Sequence, residues 1–162
     1  VHPDMHHRHY PGGIFLQRLP VAVYLGGGME KLKIAYICVH NSCRSQMAEA
    51  ITKKLASDVI DCWSGGTETK EKIDPGAVSI IKKLYDIDME ETQRSKLLTE
   101  LPPVDMVVTM GCNVACPALA ADTKDDWGLE DPTGKPDDEY EKTARSIEAK
   151  VLELRARIIY NR

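Results

Sequence analysis

Apolar residues form short, nearly uninterrupted runs at three places along the chain. These runs cover residues 33–39, 59–64 and 104–110, and they are rich in β-branched side chains. Runs of this length with few polar interruptions are typical of strands buried on both faces of a parallel sheet. The pattern therefore predicts three internal strands.

Between and after these runs, the apolar residues adopt helical spacing. Residues 45–56 have this pattern, and 96–101 form a short candidate helix stopped by two prolines. Asp74 followed by Pro75 is a helix start signal, with an N-cap residue before a proline at the first helical position. The clearest helix has apolar residues stepping by four and three positions, at Tyr140, Ala144, Ile147, Val151, Leu154 and Ile158. Alternating strands and helices predict an α/β fold, a parallel sheet with helices on both faces, whose ligands bind beyond the carboxyl ends of the strands.

The stretch "CVHNSCRSQMAEA", residues 38–50, joins the first strand to the first helix. Backbone amides in such a loop can converge on an anion, assisted by the positive end of the helix and by the fork of Arg44. The same surroundings favour the reactive thiolate of Cys38, with Ser45 as a donor to the sulfur and Asn41 shaping the loop. The alternative is a buried Cys38 and a surface Arg44. The predicted oxyanion-binding residues are Val39, His40, Asn41, Ser42, Cys43, Arg44 and Ser45.

Composition and charge exclude several classes of partner. The 162 residues, 43% apolar and 28% charged, suit one globular domain. A net charge of −4 without a basic run argues against nucleic acid or a lipid surface, and no apolar stretch approaches the roughly 20 residues that span a bilayer. Five irregularly spaced cysteines do not resemble a secreted disulfide framework. We expect a cytoplasmic protein with reduced thiols, and a monomer.

Residues 1–28 differ in composition from the rest of the chain. They contain four of the five histidines but no periodic apolar pattern, and they end in three glycines before Met29. A zinc-binding arm is one interpretation. We favour an appended or upstream-derived extension that is disordered or loosely docked, with residues 29–162 forming the single domain.

Three stretches together resemble a known family. "CVHNSCRSQMAEA", "MVVTMGCNVACP" and "DDWGLEDPTGK" are similar to low-molecular-weight protein tyrosine phosphatases and, more closely, to the arsenate reductases that share their fold. The resemblance covers residues 31–160. It implies a four-stranded parallel sheet flanked by helices in three layers.

The resemblance also implies a chemistry that begins alike in both branches. Cys38 attacks a tetrahedral oxyanion, and Asp131 of the Asp131-Pro132 pair is the general acid, although Asp-Pro is also common in ordinary turns. Phosphatases of this family typically follow this pair with an aromatic residue, whereas here Thr133 follows. This difference favours the reductase.

Cys112 and Cys116 are the stronger discriminator between the branches. In a reductase, Cys112 attacks the Cys38 adduct and releases arsenite, and Cys116 then takes over the disulfide. The resemblance implies thioredoxin as external reductant, no bound cofactor, and phosphate as a competing oxyanion. Simple burial and half of a metal site are alternatives for this pair. A phosphatase and a non-catalytic oxyanion-binding redox module also remain open.

Some positions depart from relatives that bind potassium beside the loop. Glu49 and Ser64 match two ligand positions, but the later ones fall on Arg94 and Lys96. We therefore expect a lysine ammonium in place of the cation, and no metal. Cys43 is interpreted as a spectator thiol, and Cys62, inside a strand, as core.

Overall fold

The computed structural model of the protein describes residues 30–111 and 121–161. The predicted extension over residues 1–28 and the two predicted relay thiols, Cys112 and Cys116, lie outside the described residues.

The elements follow along the described parts of the chain as β1 (Leu32–Cys38), α1 (Arg44–Leu55), β2 (Ile60–Gly66), α2 (Pro75–Tyr85), α3 (Met89–Thr92), a 3₁₀ helix (Leu98–Glu100), β3 (Met106–Thr109), β4 (Thr123–Asp126) and α4 (Asp137–Tyr160). The four strands form one parallel sheet, in the order β2-β1-β3-β4. The sheet is therefore the one that the resemblance implied.

The central strand β1 places the candidate loop. Six of its seven residues are buried, because it is paired on both sides and covered on both faces. Cys38 at its end pairs in register with Gly66 at the end of β2. A Cβ at Gly66 would lie 2.5 Å from the carbonyl oxygen of Val39, so only glycine lets the two strand ends approach this closely. The turn after β1 is thereby held at the carboxyl edge of the sheet.

Helices cover both faces of the sheet in three layers. One face packs against α1, α2 and α4 in a large apolar cluster, which includes every one of the periodic residues predicted for the last helix. The other face carries a smaller cluster in which Ala35, Ile37 and Val107 pack under Leu98 of the 3₁₀ helix. In the parts of the chain that the structure describes, no helix is long and apolar enough to cross a membrane.

Three local features differ from the pattern-based predictions. The short helix predicted at 96–101 is a single 3₁₀ turn over Leu98–Glu100. Asp74 stands at the N-cap position of α2, but its side chain makes no capping bond there. The strand β4 was not predicted from the pattern, because only Thr123 of its four residues is buried and the rest are charged.

Candidate active site

The loop between β1 and α1 is fixed from beneath by amide side chains. Asn41 has a φ of 50°, a left-handed conformation that asparagine tolerates better than most residues. Its Oδ1 accepts hydrogen bonds from Gln46 Nε2 at 2.9 Å and from the backbone N–H of Lys96 at 3.0 Å. Gln46 in turn accepts a bond from Gln93 at 2.7 Å. The loop shape is therefore determined by contacts to a distant part of the chain as well as by its own sequence.

A serine lies within hydrogen-bonding distance of the candidate nucleophile. Ser45 Oγ is 2.8 Å from Cys38 Sγ, and Asn41 Nδ2 donates to the same Oγ at 2.9 Å. Because Asn41 donates to the serine oxygen, the serine hydroxyl can point its proton at the sulfur. Both Asn41 and Ser45 are fully buried. They support Cys38 from behind the loop.

The guanidinium of Arg44 is held by two backbone carbonyls. Its Nη1 donates to Met110 O at 2.8 Å and to Leu129 O at 2.6 Å, and the residue is only 8% exposed. These bonds connect the loop to the end of β3 and to the segment before Asp131. Arg44 Nη2 lies 4.0 Å from Asp131 Oδ2. The fork is thus oriented before any anion arrives, which reduces the entropy lost on binding.

These side chains surround an open cavity of about 260 Å³. It has room for a tetrahedral oxyanion and its water. Two cations, Arg44 and Lys70, and one carboxylate, Asp131, face it. The lining residues are Cys38, Val39, His40, Ser42, Cys43, Arg44, Lys70, Asp131 and Thr133. Five of the seven residues predicted to bind an oxyanion therefore line the cavity, and Asn41 and Ser45 lie beneath it.

Asp131 lies across this cavity from the loop with a half-exposed side chain. Partial burial alone would raise the pKa of this carboxyl. The opposing effects are larger: Thr133 donates from its backbone N at 3.1 Å and from Oγ1 at 2.6 Å, and Arg44 and Lys70 add positive charge. Together they hold the pKa of Asp131 below its usual value. Asp131 is therefore ionised at neutral pH in the free protein. A bound dianion would raise its pKa by repulsion, which is the direction a general acid needs.

The other two described cysteines are held as thiols. Burial, then the carboxylates of Asp74 and Asp131, raises the pKa of Cys43 far above its usual value. Burial and the carboxylate of Glu49 raise the pKa of Cys62 to about 12. Neither environment favours a nucleophile, since the thiolate is the reactive form.

A buried carboxylate behind the loop has ammonium partners. Glu49, 4% exposed, contacts Lys53 Nζ at 2.5 Å, accepts from Ser64 Oγ at 2.7 Å and lies 3.7 Å from Lys96 Nζ. Burial lowers the pKa of Lys96, and Glu49 opposes that effect. Lys96 thus lies beside Glu49, where the family resemblance led us to expect a lysine ammonium. Within residues 30–111 and 121–161 no cluster of three or more His, Cys, Asp or Glu side chains could hold a metal ion. Arg94, the other divergent position, pairs instead with Glu100.

Sequence reasoning missed three residues at this site. Lys70 lines the cavity from the loop after β2, Thr133 anchors Asp131, and Glu68 Oε2 lies 2.9 Å from His40 Nε2. Thr133 could have been found, because a hydroxyl two residues after an aspartate is a common turn partner. Lys70 and Glu68 carry no local signal.

Comparisons with known proteins show the family of the chain. Residues 33–161 match the low molecular weight phosphotyrosine protein phosphatase family. Arsenate reductase 2 of Staphylococcus haemolyticus is 36% identical over 135 residues, covering 80% of this chain and 100% of that protein.

Two solved structures support the same conclusion. An arsenate reductase in the phosphate binding state aligns with a TM-score of 0.69 at 30% identity, over 78% of this chain and 98% of that one. The thioredoxin-dependent arsenate reductase of Corynebacterium glutamicum aligns with a TM-score of 0.66 at 26% identity, over 91% and 71%. The chain belongs to the low-molecular-weight phosphotyrosine protein phosphatase family, in its arsenate reductase branch.

Proposed function

We propose that the protein reduces arsenate to arsenite, with Cys38 as nucleophile. The observation that carries this proposal is the convergence of Cys38, Arg44 and Asp131 on one cavity of oxyanion size. The named reductases among the relatives, including one in a phosphate binding state, support the choice of substrate. Phosphate has the same tetrahedral shape and would compete for the loop.

The first step forms a bond between sulfur and arsenic. The Cys38 thiolate attacks arsenate, and one As–O bond breaks as the oxygen leaves as water, with a proton from Asp131. Arg44 and the loop amides hold the remaining oxygens and neutralise their charge. Ser45 stabilises the thiolate before attack, since its hydroxyl can donate to the sulfur.

The second step transfers two electrons to arsenic. The Cys112 thiolate attacks Cys38 Sγ, the S–As bond breaks, and its electron pair stays on arsenic as arsenite leaves. Cys116 then attacks Cys112, so that Cys38 is freed and a Cys112–Cys116 disulfide remains. A dithiol reductant, which we take to be thioredoxin, reduces it.

The placement of Arg44 supports the participation of Cys112. Met110, whose carbonyl accepts the Arg44 bond, precedes Cys112 by only two residues. The segment that follows Met110 therefore starts beside the loop that holds Cys38. The relation to the thioredoxin-dependent reductase supports the choice of reductant.

We further propose that the enzyme works as a cytoplasmic monomer without a bound cofactor or metal. The contact of Lys96 with Glu49 supports the part of this proposal that concerns the metal, because the ammonium supplies the positive charge that a cation would otherwise bring to the buried carboxylate. Replacing potassium with sodium in the assay should therefore leave turnover unchanged.

The decisive experiment measures arsenite production with thioredoxin, thioredoxin reductase and NADPH, beside aryl phosphate hydrolysis. We expect Cys38→Ser to abolish both activities, and Cys112→Ser and Cys116→Ser to abolish only steady-state arsenite production. Cys62→Ser is the matched control, a buried thiol outside the cavity, and should retain both.

The second candidate is a phosphatase, favoured by the shared cavity and by the family match over residues 33–161. If the protein is a phosphatase, the wild type should cleave aryl phosphate without reducing arsenate. This cleavage should survive loss of both Cys112 and Cys116. Anion binding without turnover of either substrate would instead indicate a redox or binding module.

A further inference from the structure

We propose that Tyr140 is a positioning residue that holds the Asp131 turn against the oxyanion loop. The inference rests on the proposed function, because it assigns Tyr140 a part in the acid-assisted first step. Tyr140 lies in the first turn of α4 and does not line the cavity. It acts only through its contacts.

A chain of three hydrogen bonds connects the two loops through the Tyr140 hydroxyl. The backbone N–H of Gly134 donates to Tyr140 Oη at 3.2 Å, and Tyr140 Oη donates to Asp74 Oδ2. The backbone N–H of Asp74 then donates to the carbonyl of Ser42 at 2.7 Å. The route runs from the turn after Asp131 to the floor of the oxyanion loop.

Hydrogen bonds within the turn that carries Asp131 connect its residues, so a displacement of Gly134 also displaces Asp131. Asp131 Oδ1 accepts two bonds from Thr133, and the N–H of Lys135 donates to the carbonyl of Pro132 at 2.9 Å. Gly134, which is held by Tyr140, lies between these bonded residues. Its φ of 79° suits glycine, so the turn keeps this shape without strain.

The ring of Tyr140 is placed by close packing. Tyr140 is 4% exposed, and a Cβ at Gly76 would lie 2.3 Å from its Cζ, so the ring rests on the first turn of α2. Asp74 stands at the N-cap position of that helix, yet its carboxylate bonds Tyr140 rather than the helix. Burial and the Asp74 bond raise the pKa of Tyr140, so its hydroxyl keeps its proton.

Tyr140→Phe removes the hydroxyl and keeps the ring, which makes it the test. We expect the kcat for arsenate to fall about tenfold, because a loosened turn places the acid less well. The inhibition constant of phosphate should change less than about twofold, since Cys38 and Arg44 are untouched. Exchange of the Gly134 amide hydrogen, measured by NMR, should speed up about tenfold as its acceptor is lost.

Tyr85→Phe is the matched control. Tyr85 is also buried, and it donates at 2.8 Å to the carboxylate oxygen Oε1 of Glu148, which lies in α4 far from the cavity. The Tyr85→Phe variant should lose about as much stability as Tyr140→Phe, while its kcat and its Gly134 exchange rate stay at wild-type values. Asp74→Ala should lower the kcat as much as Tyr140→Phe does, because it removes the next bond in the chain. The double variant should have a kcat no lower than that of either single variant, because the bonds act in series.

The outcomes separate this inference from the proposed function. An unchanged kcat in Tyr140→Phe, or the same loss in Tyr85→Phe, would overturn the positioning role while leaving the reductase intact. If the wild type does not reduce arsenate, the proposed function fails. Gly134 exchange then decides alone whether Tyr140 holds the turn, and an unchanged exchange rate would reject it.

Discussion

Ser45 Oγ stands 2.8 Å from Cys38 Sγ, with its own lone pair engaged by an amide donor. Ser45 is fully buried, whereas Cys38 is 5% exposed and lines the cavity. A hydrogen bond to a charged group in such a place is worth about 1.5 kcal/mol or more. The serine hydroxyl is therefore positioned to stabilise negative charge on the Cys38 sulfur.

Ser45→Ala should slow alkylation of Cys38 by iodoacetamide at pH 7 about tenfold, because the thiolate loses its donor. The rate is measured on Cys38 by mass spectrometry of the labelled peptide. Ser79→Ala, an exposed serine in α2, is the control and should react like the wild type. Equal rates in the two variants would show that the hydroxyl does not stabilise the sulfur.

Arg44→Lys should weaken phosphate binding roughly 30-fold, or about 2 kcal/mol, although the charge is kept. An ammonium cannot bond Met110 O and Leu129 O while also presenting a planar fork to the anion. Titration calorimetry with phosphate measures the change. Arg94→Lys, an exposed arginine paired with Glu100, should bind phosphate as the wild type does. Retained affinity in Arg44→Lys would mean that charge alone suffices.

Asp131→Asn should separate catalysis from binding. Loss of the proton donor should lower the kcat for arsenate about a hundredfold. Phosphate binding should become a few times tighter, about twofold to fivefold, because the carboxylate that faces Arg44 no longer repels the anion. Steady-state kinetics with phosphate as inhibitor gives both values. A weaker phosphate affinity would contradict the charge argument.

The pH dependence of stability around Asp131 has a definite sign. Its pKa is lower in the folded protein than in the unfolded chain, so its contribution is present above the unfolded value and is lost as the pH falls through the folded value. Urea unfolding between pH 3 and pH 7 should therefore show a shallower acid loss for Asp131→Asn than for the wild type. Parallel curves would refute the depressed pKa.

Glu49→Gln should destabilise the fold by about 2 kcal/mol at pH 7, since Lys96 loses the carboxylate that compensates its burial. Burial lowers the folded-state pKa of Lys96, so stability rises as the pH climbs from that lowered value to the unfolded one. The rise should be larger in the variant. Urea unfolding at pH 7 and pH 9.5 measures it.

The control for this prediction is the exposed pair of Lys82, in α2, and Asp86, directly after its end, which has the same spacing of four residues as Glu49 and Lys53. Asp86→Asn should leave the unfolding free energy nearly unchanged, because solvent screens the pair. If Glu49→Gln behaved in the same way, the buried cluster would have no structural role.

The helices could be predicted from sequence because buried residues such as Ile147 and Val151 in α4 recur at helical spacing. The inner strands could be predicted because burial on both faces leaves an uninterrupted apolar run, such as residues 34–37 in β1. Strand β4 and helix α3 could not. A charged edge strand buries too little to leave a pattern, and α3 is a single turn whose start is fixed by the Asp88 side chain accepting from Glu90 N.

The oxyanion loop could be predicted from local sequence, because a strand end, a tight turn and a helix start are contiguous between Cys38 and Arg44. The residues that surround this loop depend on the tertiary fold. Lys70 and the carbonyl of Met110 reach the loop from distant parts of the chain, and Tyr140 is connected to it through Asp74. None of these residues has a local pattern that predicts the contact. The residues of the loop are neighbours in sequence and can be recognised together, whereas the residues that position them depend on which distant elements the core brings together.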